Sequence, residues 1–140
     1  MSRQPLRLLA QDADDLQIIS AALQDAVCKV GDIHFDVAGR TLTVSFNRFC
    51  WEGSSPSRTR AALQLGFVRG VQARRVRQGQ PDAVMELLAI GFEPLEAPGG
   101  WVVLSFAGGG DLRCEVECVD AVLADLSAPW PTRHTPRHTD

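Results

Sequence analysis

The residues from 101 to 118 predict two antiparallel strands joined by a tight glycine turn. Trp101 to Ala107 reads as the first strand, Gly108-Gly109-Gly110-Asp111 as the turn, and Leu112 to Cys118 as the second strand. In the second strand apolar and charged residues alternate, with Cys114, Val116 and Cys118 on one side and Arg113, Glu115 and Glu117 on the other. Successive side chains of a strand point to opposite faces, so we expect this hairpin to bury one face and expose the other.

A change of hydrophobic period follows this hairpin. The apolar positions now have helical spacing, at Val119, Val122, Leu123 and Leu126. We therefore predict a capping helix over residues 119–126 that packs this stripe against the sheet and closes the domain. Asp120 and Asp125 should remain in water on the other side of the helix.

Another helix is predicted near the N-terminus. Asp12 is a favourable N-cap residue, and the acidic residues that follow it favour the positive end of the helix dipole. The apolar residues of this segment again form a helical stripe, at Leu16, Ile19, Leu23 and Ala26. The sequence thus predicts a helix over residues 12–27.

The residues between the two predicted helices favour strands and turns. Alternation on both sides of Ala38-Gly39-Arg40 indicates a hairpin, and Gly53 to Ser57 reads as an open loop. Gly70 interrupts the next strand and predicts a bulge or corner. Residues 71–77 then predict a basic strand. Residues 84–92 are apolar on both faces apart from one glutamate, so they predict the most buried strand.

These elements amount to about seven strands in hairpin succession, followed by one helix. The sequence therefore predicts an α+β fold: an antiparallel meander of about seven strands with an N-terminal helix and a C-terminal capping helix. This order of elements favours a pleckstrin-homology-like barrel, in which the last helix plugs one end. Residues 1–128 should form a single globular domain, and residues 129–140 a flexible tail that contains prolines.

Composition excludes several classes of protein. The chain has 140 residues, of which 45% are hydrophobic and 22% charged, as in ordinary globular domains. Its apolar runs are too short for a membrane-spanning helix, and its N-terminus lacks the apolar core of a signal peptide, so we expect a cytoplasmic protein. In that compartment the four cysteines should be free thiols. A net charge of −3 disfavours a general nucleic-acid binder.

Three segments of the chain together resemble one known family. They are Leu16-Gln17-Ile18-Ile19-Ser20 with Leu23-Gln24-Asp25-Ala26-Val27, then Asn47-Arg48-Phe49-Cys50-Trp51-Glu52, and finally Phe106-Ala107-Gly108-Gly109-Gly110 with Arg113, Glu115-Val116-Glu117-Cys118 and Asp125-Leu126. With these segments the chain resembles the alphaproteobacterial domain of unknown function 2948 family, over roughly residues 6–130. The resemblance implies no activity, cofactor or catalytic residue.

The segment from Asn47 to Glu52 holds the densest group of chemically active side chains. Arg48 shares strand parity with apolar residues, so an uninterrupted strand would bury its guanidinium, which is costly unless the charge is paired. The favoured interpretation is an ion pair with Glu52, or a bulge that turns Arg48 outward, with Trp51 covering the mouth of the barrel. The alternative is an anion clamp near the thiol of Cys50.

A second candidate is the concentration of basic residues formed by Arg69, Arg74, Arg75 and Arg77, to which Arg58 and Arg60 could add. Arginine forks suit phosphate, so this strand could bind a phosphorylated small molecule or nucleic acid. Alternation sends Arg74 and Arg75 to opposite faces, however, and no aromatic ladder lies among the arginines to stack bases. Solvated charge with cross-strand pairing to Glu115 or Glu117 is therefore the favoured interpretation.

Metal and nucleophile patterns in the sequence are weak. His134 and His138 have i,i+4 spacing, but a proline between them prevents a helical metal pair. His34 would need ligands from elsewhere in the chain. Cys114 and Cys118 should be buried and inert. We therefore expect no metal, no cofactor and no catalytic residue.

These observations favour a non-enzymatic bacterial domain that binds a protein partner or a second copy of itself, without a role at a membrane or on nucleic acid. The first alternative is a binder of a phosphorylated small molecule or nucleic acid through the arginine-rich strand. The second is a small enzyme that uses Arg48, Cys50 and Glu52. A cleft joining Cys50 to an acid or base would favour the enzyme, and converging guanidinium groups would favour the anion binder. An exposed apolar strip would favour the interaction domain.

Overall fold

The fold is described by a computed structural model that covers residues 4–133, 135 and 136. These residues form one α-helix, one 3₁₀ turn and eleven strands. The helix, α1, spans Ala13–Ala22, and the 3₁₀ turn spans Val30–Asp32. The strands, β1 to β11 in chain order, span Arg7–Ala10, Val27–Lys29, Ile33–Asp36, Thr41–Phe49, Ser57–Leu65, Val68–Arg74, Val84–Pro94, Gly100–Phe106, Asp111–Val116, Ala121–Asp125 and Trp130–Pro131.

The strands pair antiparallel in one continuous sheet. Their order is β1-β10-β5-β4-β2-β7-β8-β9-β6, with β3 on β4 and β11 on β5. Two segments change partners along the chain. β5 continues through Gly66 and Phe67 into β6, which pairs with β9, and β7 pairs first with β2 and then with β8. The sheet therefore bends around a single apolar core, which includes the buried side of α1.

Helix α1 confirms the predicted N-terminal helix and its buried stripe. The carboxylate of Asp12 caps the helix by accepting a hydrogen bond from the backbone N–H of Asp15 at 2.7 Å. The four residues of the predicted stripe are all buried: Leu16, Ile19, Leu23 and Ala26. The helix ends at Ala22, earlier than predicted, and Asp25 with a left-handed φ of 62° then turns the chain into β2. α1 packs against β1 and β7.

Both predicted hairpins are confirmed. β3 pairs with β4, and β8 pairs with β9 across the glycine turn, whose first two glycines have φ values of 89° and 95°. On β9 Cys114 and Val116 are buried as predicted. Cys118 is only half-buried, because β9 ends at Val116 and the alternation stops there. The register of β6 on β9 shifts between Val68 and Gly70, which confirms the predicted bulge.

The predicted C-terminal helix over residues 119–126 is wrong, because Ala121–Asp125 form strand β10. This strand lies between β1 and β5. Its inward positions Ala121 and Leu123 are buried, and so is Val119, two residues before the strand. Val119 and Leu123 fit a helical and an alternating pattern equally well. The segment forms a strand because its two neighbouring strands supply the hydrogen-bond partners of its backbone.

This strand changes two further expectations. Asp125, predicted to remain in water, has a side chain only 4% exposed, and Leu126, predicted to be buried, is exposed. Residues 4–133 contain no C-terminal helix and eleven strands rather than about seven, so the comparison with a pleckstrin-homology-like barrel is not supported. The broader α+β description holds, with one helix packed on an antiparallel sheet.

The prediction that residues 84–92 form the most buried strand is also wrong. β7 buries only Leu87 and Ile90, whereas Val84 and Leu88 are exposed. A register shift between Leu87 and Ala89 breaks the alternation along the strand. An apolar run identifies a strand, but it does not show that both of its faces are covered. The regularly alternating strands β4 and β8 are more deeply buried.

The C-terminal region contributes one short strand. Trp130–Pro131, which lie in the predicted tail, form β11 and pair with Arg58 and Ser57 of β5. His134 and His138 lie outside the described residues, so their predicted failure to bind a metal stays a prediction. No helix in the described part of the chain is long and apolar enough to cross a membrane.

Candidate functional site

Arg48 lies at the centre of a buried ion network. Its fully buried side chain on β4 contacts Asp125 of β10 and Glu52 of the following turn. Nε and Nη2 donate to Asp125 at 2.8 and 2.9 Å, and Nη1 and Nη2 donate to Glu52 at 3.0 and 2.6 Å. Nη1 also donates to the backbone oxygen of Phe49 at 3.3 Å. These bonds use all five N–H donors of the guanidinium.

Asp125 is the partner of Arg48 that the sequence did not indicate. Its side chain is 4% exposed, compared with 37% for Glu52. The Asp125 carboxylate also accepts a hydrogen bond from the backbone N–H of Leu6 at 2.8 Å. Burial alone would lower the pKa of Arg48, but the hydrogen bonds to the two carboxylates raise it above its ordinary value. A ligand anion could reach Arg48 only by displacing a carboxylate.

Cys50 and Trp51 lie next to this network in the chain, between Arg48 and Glu52. The Cys50 side chain is buried, and Trp51 packs edge-on against Phe49 with ring centroids 4.6 Å apart. An open groove of about 760 Å³ lies beyond the turn, between residues 53–57 and residues 125–131. Cys50 does not line this groove, so its thiol shares no cleft there with an acid or base.

Two of the four arginines in the basic segment are held by carboxylates. Arg69 contacts Glu117 at 3.5 Å, and Arg74 donates to Asp111 at 3.1 and 2.7 Å. Hydrogen bonding to Arg74 lowers the pKa of Asp111. Glu117 has a second partner, Arg40, whose hydrogen bonds at 2.8 and 3.1 Å lower the pKa of the glutamate. These ion pairs lie at the surface, and that of Arg74 with Asp111 joins directly paired residues of β6 and β9.

Arg75 and Arg77 instead line a groove beside the glycine turn, which we call the basic groove. Its volume is about 400 Å³. Besides the two arginines, its lining includes Gln80, Val30, Val84, Met85, and Phe106, Ala107, Gly108 and Gly110 at the glycine turn. No carboxylate side chain of the described residues lines it. The basic segment therefore does not form one surface: two arginines are paired, and the other two share a separate groove.

A further groove lies between β3 and β6, and we call it the seam. Among the described strands, β3 pairs only with β4 and β6 only with β9. The backbone N–H of Val68 donates to the backbone oxygen of Arg40 at 2.9 Å, which joins β6 to the turn between β3 and β4. The seam has a volume of about 310 Å³. Its lining is apolar apart from one glutamine, and consists of Val30, Ile33, Val71, Ala73, Val76, Gln78 and Leu112.

Comparison with known proteins identifies the family. A family model described as protein of unknown function (DUF2948) matches residues 6–138. The chain belongs to the DUF2948 family. This match confirms the resemblance seen in the three sequence segments. No curated protein and no solved structure matches the chain.

Sequence analysis of this DUF2948 chain missed a polar cluster around Arg60. Its Nη2 donates to Asp32 at 2.8 Å and its Nη1 to the side-chain oxygen of Asn47 at 3.1 Å. Asp32 also accepts the backbone N–H of Lys29 at 2.9 Å. Beside the cluster, burial and the charge of Asp32 raise the pKa of the Cys28 thiol to about 12. Asn47 and Arg60 are direct cross-strand partners, a register that residue patterns alone do not give.

The described part of the DUF2948 chain contains no group of three or more histidine, cysteine, aspartate or glutamate side chains that could hold a metal ion. His34 is exposed on β3. The four cysteines are free thiols, and burial raises the pKa of Cys114 to about 12. Because the thiolate is the nucleophilic form of cysteine, Cys114 is inert near neutral pH.

Proposed function

We propose that the DUF2948 chain is a non-enzymatic protein-interaction domain that binds an extended segment of a partner protein in the seam. The observation that supports this function is the seam itself, where two strand edges lie beside an apolar groove. Exposed strand edges are templates for pairing with another chain, and proteins commonly shorten or cover the edges that they do not use. β6 is the terminal strand of the sheet and is seven residues long.

Backbone hydrogen bonds would hold the partner segment. A strand with one antiparallel neighbour leaves alternating pairs of N–H and C=O groups on its other edge. On β6 the backbone N–H of Val68 is used in the bond to Arg40, at the first residue of the strand. An extended partner could continue the ladder from there towards Arg74, as in recognition by β-strand addition.

The apolar lining would select the partner's side chains. Val71 and Ala73 of β6 and Ile33 of β3 are partly buried and pack against the core. The seam, with its volume of about 310 Å³, lies at the lower end of the range of about 300–1,000 Å³ that is typical of ligand pockets. It therefore suits a few aliphatic side chains at alternating positions better than a large organic ligand.

The partner segment should alternate apolar and polar residues. Successive side chains of a strand point to opposite faces, and only one face of the segment would lie on the apolar lining of the seam. The arginines nearby set no preference for acidic residues, because Arg69 and Arg74 are paired with Glu117 and Asp111, and Arg75 and Arg77 line the basic groove.

The enzymatic alternative receives less support from the geometry. Arg48 is saturated by Asp125 and Glu52, and the Cys50 thiol is buried. An enzyme at this segment would lack an accessible nucleophile. The free thiols of the chain fit the cytoplasmic location that the sequence favours, and we include that location in the proposal.

Selection of displayed random peptides of about twelve residues against the full chain tests the proposal. Two variants distinguish the effect of a charge inside the seam from the effect of the same charge beside it. Ala73→Glu places a charge in the seam, whereas Gln72→Glu adds the same charge at the exposed neighbouring position on the same strand. We expect alternating peptides to be enriched, Ala73→Glu to weaken their binding by about tenfold or more, and Gln72→Glu to change it by less than about twofold.

Circular dichroism shows whether the Ala73→Glu variant is folded, and amide chemical shifts of the wild type show whether the peptide lies along β3 and β6. Failure to enrich extended peptides, or full binding by a folded Ala73→Glu variant, would contradict the proposal. Sedimentation of the wild type alone tests whether a second copy of the chain occupies the seam. A wild-type dimer that dissociates in the Ala73→Glu variant would show that the occupant is a second copy and not a segment of another protein.

A further inference from the structure

We infer that the basic groove binds the phosphate group of a phosphorylated small molecule. This inference goes beyond the protein interaction proposed above and does not depend on it. It rests on two arginines, Arg75 and Arg77, that have no ion-pair partner in the described part of the chain and that line one groove together with the glycine turn.

The chain after β6 sends alternate side chains to two different grooves. Arg75 and Arg77 line the basic groove, whereas Val76 and Gln78 line the seam. The two arginines therefore share one groove, although the residue between them lines another. Arg75 itself has a left-handed φ of 54°, a conformation that non-glycine residues rarely adopt and that occurs more often at functional positions.

The glycine turn is shaped around Arg75. A Cβ atom on Gly109 would lie 3.0 Å from Nη1 of Arg75, and a Cβ atom on Gly110 would lie 2.9 Å from its backbone oxygen. Neither position could therefore carry a side chain without moving the arginine or the turn. The close contact places the guanidinium of Arg75 against the turn that forms one wall of the basic groove.

The charges nearby leave these two arginines available. Asp111 accepts two hydrogen bonds from Arg74. The charge of Arg75 helps to lower the pKa of Asp111, but no hydrogen bond joins the two side chains. Glu117 is held by Arg40 and Arg69. Among the described residues, Arg75 and Arg77 form no ion pair and no side-chain hydrogen bond. Two guanidinium forks on one surface match the oxygens of a phosphate, which a single surface arginine does not hold firmly.

The rest of the lining indicates what the phosphate is attached to. Val30, Val84 and Met85 form an apolar part of the wall, and Gln80 adds an amide. The volume of about 400 Å³ accommodates a phosphate with a compact organic group. Nucleic acid is disfavoured, because the groove has no exposed aromatic platform for base stacking. The expected ligand is therefore a phosphomonoester with a small, partly apolar remainder.

Titration of the wild-type chain with inorganic phosphate and with phenyl phosphate, followed by amide chemical shifts and calorimetry at low salt, tests the inference. Shifts should be concentrated at residues 75–77 and 106–110, and phenyl phosphate should bind at least about threefold more tightly than phosphate because its ring contacts the apolar wall. Equal affinity for both probes would mean that free phosphate is the ligand class. Arg75→Gln and Arg77→Gln should each weaken binding by about tenfold.

Arg7→Gln is the matched control, because Arg7 is an exposed arginine on β1, at the opposite end of the strand order from β6. It should leave affinity unchanged, and an equal loss in this variant would reduce the effect to general charge attraction and overturn the inference. Affinity for phenyl phosphate should rise between about pH 5.5 and pH 7.5 as its second proton dissociates, whereas affinity for phenyl sulfate should not. Absence of saturable shifts at residues 75–77 and 106–110 would also overturn it.

Discussion

Replacing Asp125 with alanine tests the buried ion network at its most protected carboxylate. The change removes two charged hydrogen bonds to Arg48 and one hydrogen bond to the backbone N–H of Leu6. It leaves the fully buried guanidinium with Glu52 as its only carboxylate partner among the described residues. Removing one partner of a buried ion pair costs about 3–5 kcal/mol, because the remaining charge stays desolvated. The free energy of unfolding of ordinary domains is about 5–15 kcal/mol. A loss of this size therefore brings a domain at the lower end of that range close to unfolding.

Glu52→Ala is the matched control, because it removes a carboxylate from the same arginine through the same number of hydrogen bonds. The side chain of Glu52 is 37% exposed, however, and that of Asp125 is 4% exposed. Water can replace the more exposed carboxylate, so we expect a loss of only about 1 kcal/mol. Urea unfolding followed by tryptophan fluorescence measures both variants. With a slope of about 2 kcal/mol per molar urea, the midpoint for Asp125→Ala should fall by about 2 M.

Equal and small losses in both variants would refute this account of the network. A second comparison separates the unpaired charge from simple loss of packing. In the double variant Arg48→Met with Asp125→Leu, no buried charge remains, and apolar replacement of buried ion pairs is often neutral or stabilising. We expect the double variant to recover much of the stability lost in Asp125→Ala. If it is less stable than Asp125→Ala, the cost does not arise from a stranded guanidinium.

The remaining predictions test register, thiol burial and a surface ion pair. Leu123→Ala should cost about 2–5 kcal/mol in urea unfolding and Val122→Ala roughly half as much or less, because Leu123 is fully buried and Val122 lies on the other face of β10. A thiol reagent should modify Cys118 before Cys114, whose pKa burial raises to about 12, and the reverse order would contradict the register of β9. The pKa of Glu117 is lowered from its ordinary value of 4.5, so its contribution to stability is present above that pH and is lost as the pH falls through the folded-state value. Glu117→Gln should therefore flatten the acid decline in melting temperature, and an unchanged decline would exclude the ion pair as its cause.

Elements defined by local pattern could be predicted from the sequence. The stripe of α1 and its cap at Asp12 depend on residues within a few positions of one another, and so do the hairpins on either side of the turns at Gly39 and Gly109. The bulge at Gly70 is equally local, because a glycine inside an alternating strand marks a change of register. These predictions hold because tertiary contacts reinforce the local preference instead of opposing it.

Predictions failed where the deciding partner is distant in sequence. The apolar run of β7 gave no information on how much of the strand other elements cover, and Val84 and Leu88 remain exposed. The seam could not be predicted either, because it depends on β3 and β6 each pairing with a single strand in the described part of the chain. The basic segment over residues 71–77 was recognised, but which of its residues line which groove depends on how the sheet bends.

The ion network explains why Asp125 was wrongly expected to remain in water, whereas the predicted ion pair of Arg48 with Glu52 is present. Arg48 falls at an inward position of β4, and Asp125 falls at an inward position of β10, on either side of β5 in the sheet. Considered alone, each charge contradicts the strand that contains it. Arg48 therefore suggested an ion pair with Glu52 or a bulge, and the helix predicted over residues 119–126 left Asp125 in water. Considered together, two opposite charges at inward positions satisfy one another, and the cost of burying each is reduced by the other. Two opposite charges at inward positions of two alternating segments thus indicate that those segments lie close together in a sheet. Neither segment contains this information by itself.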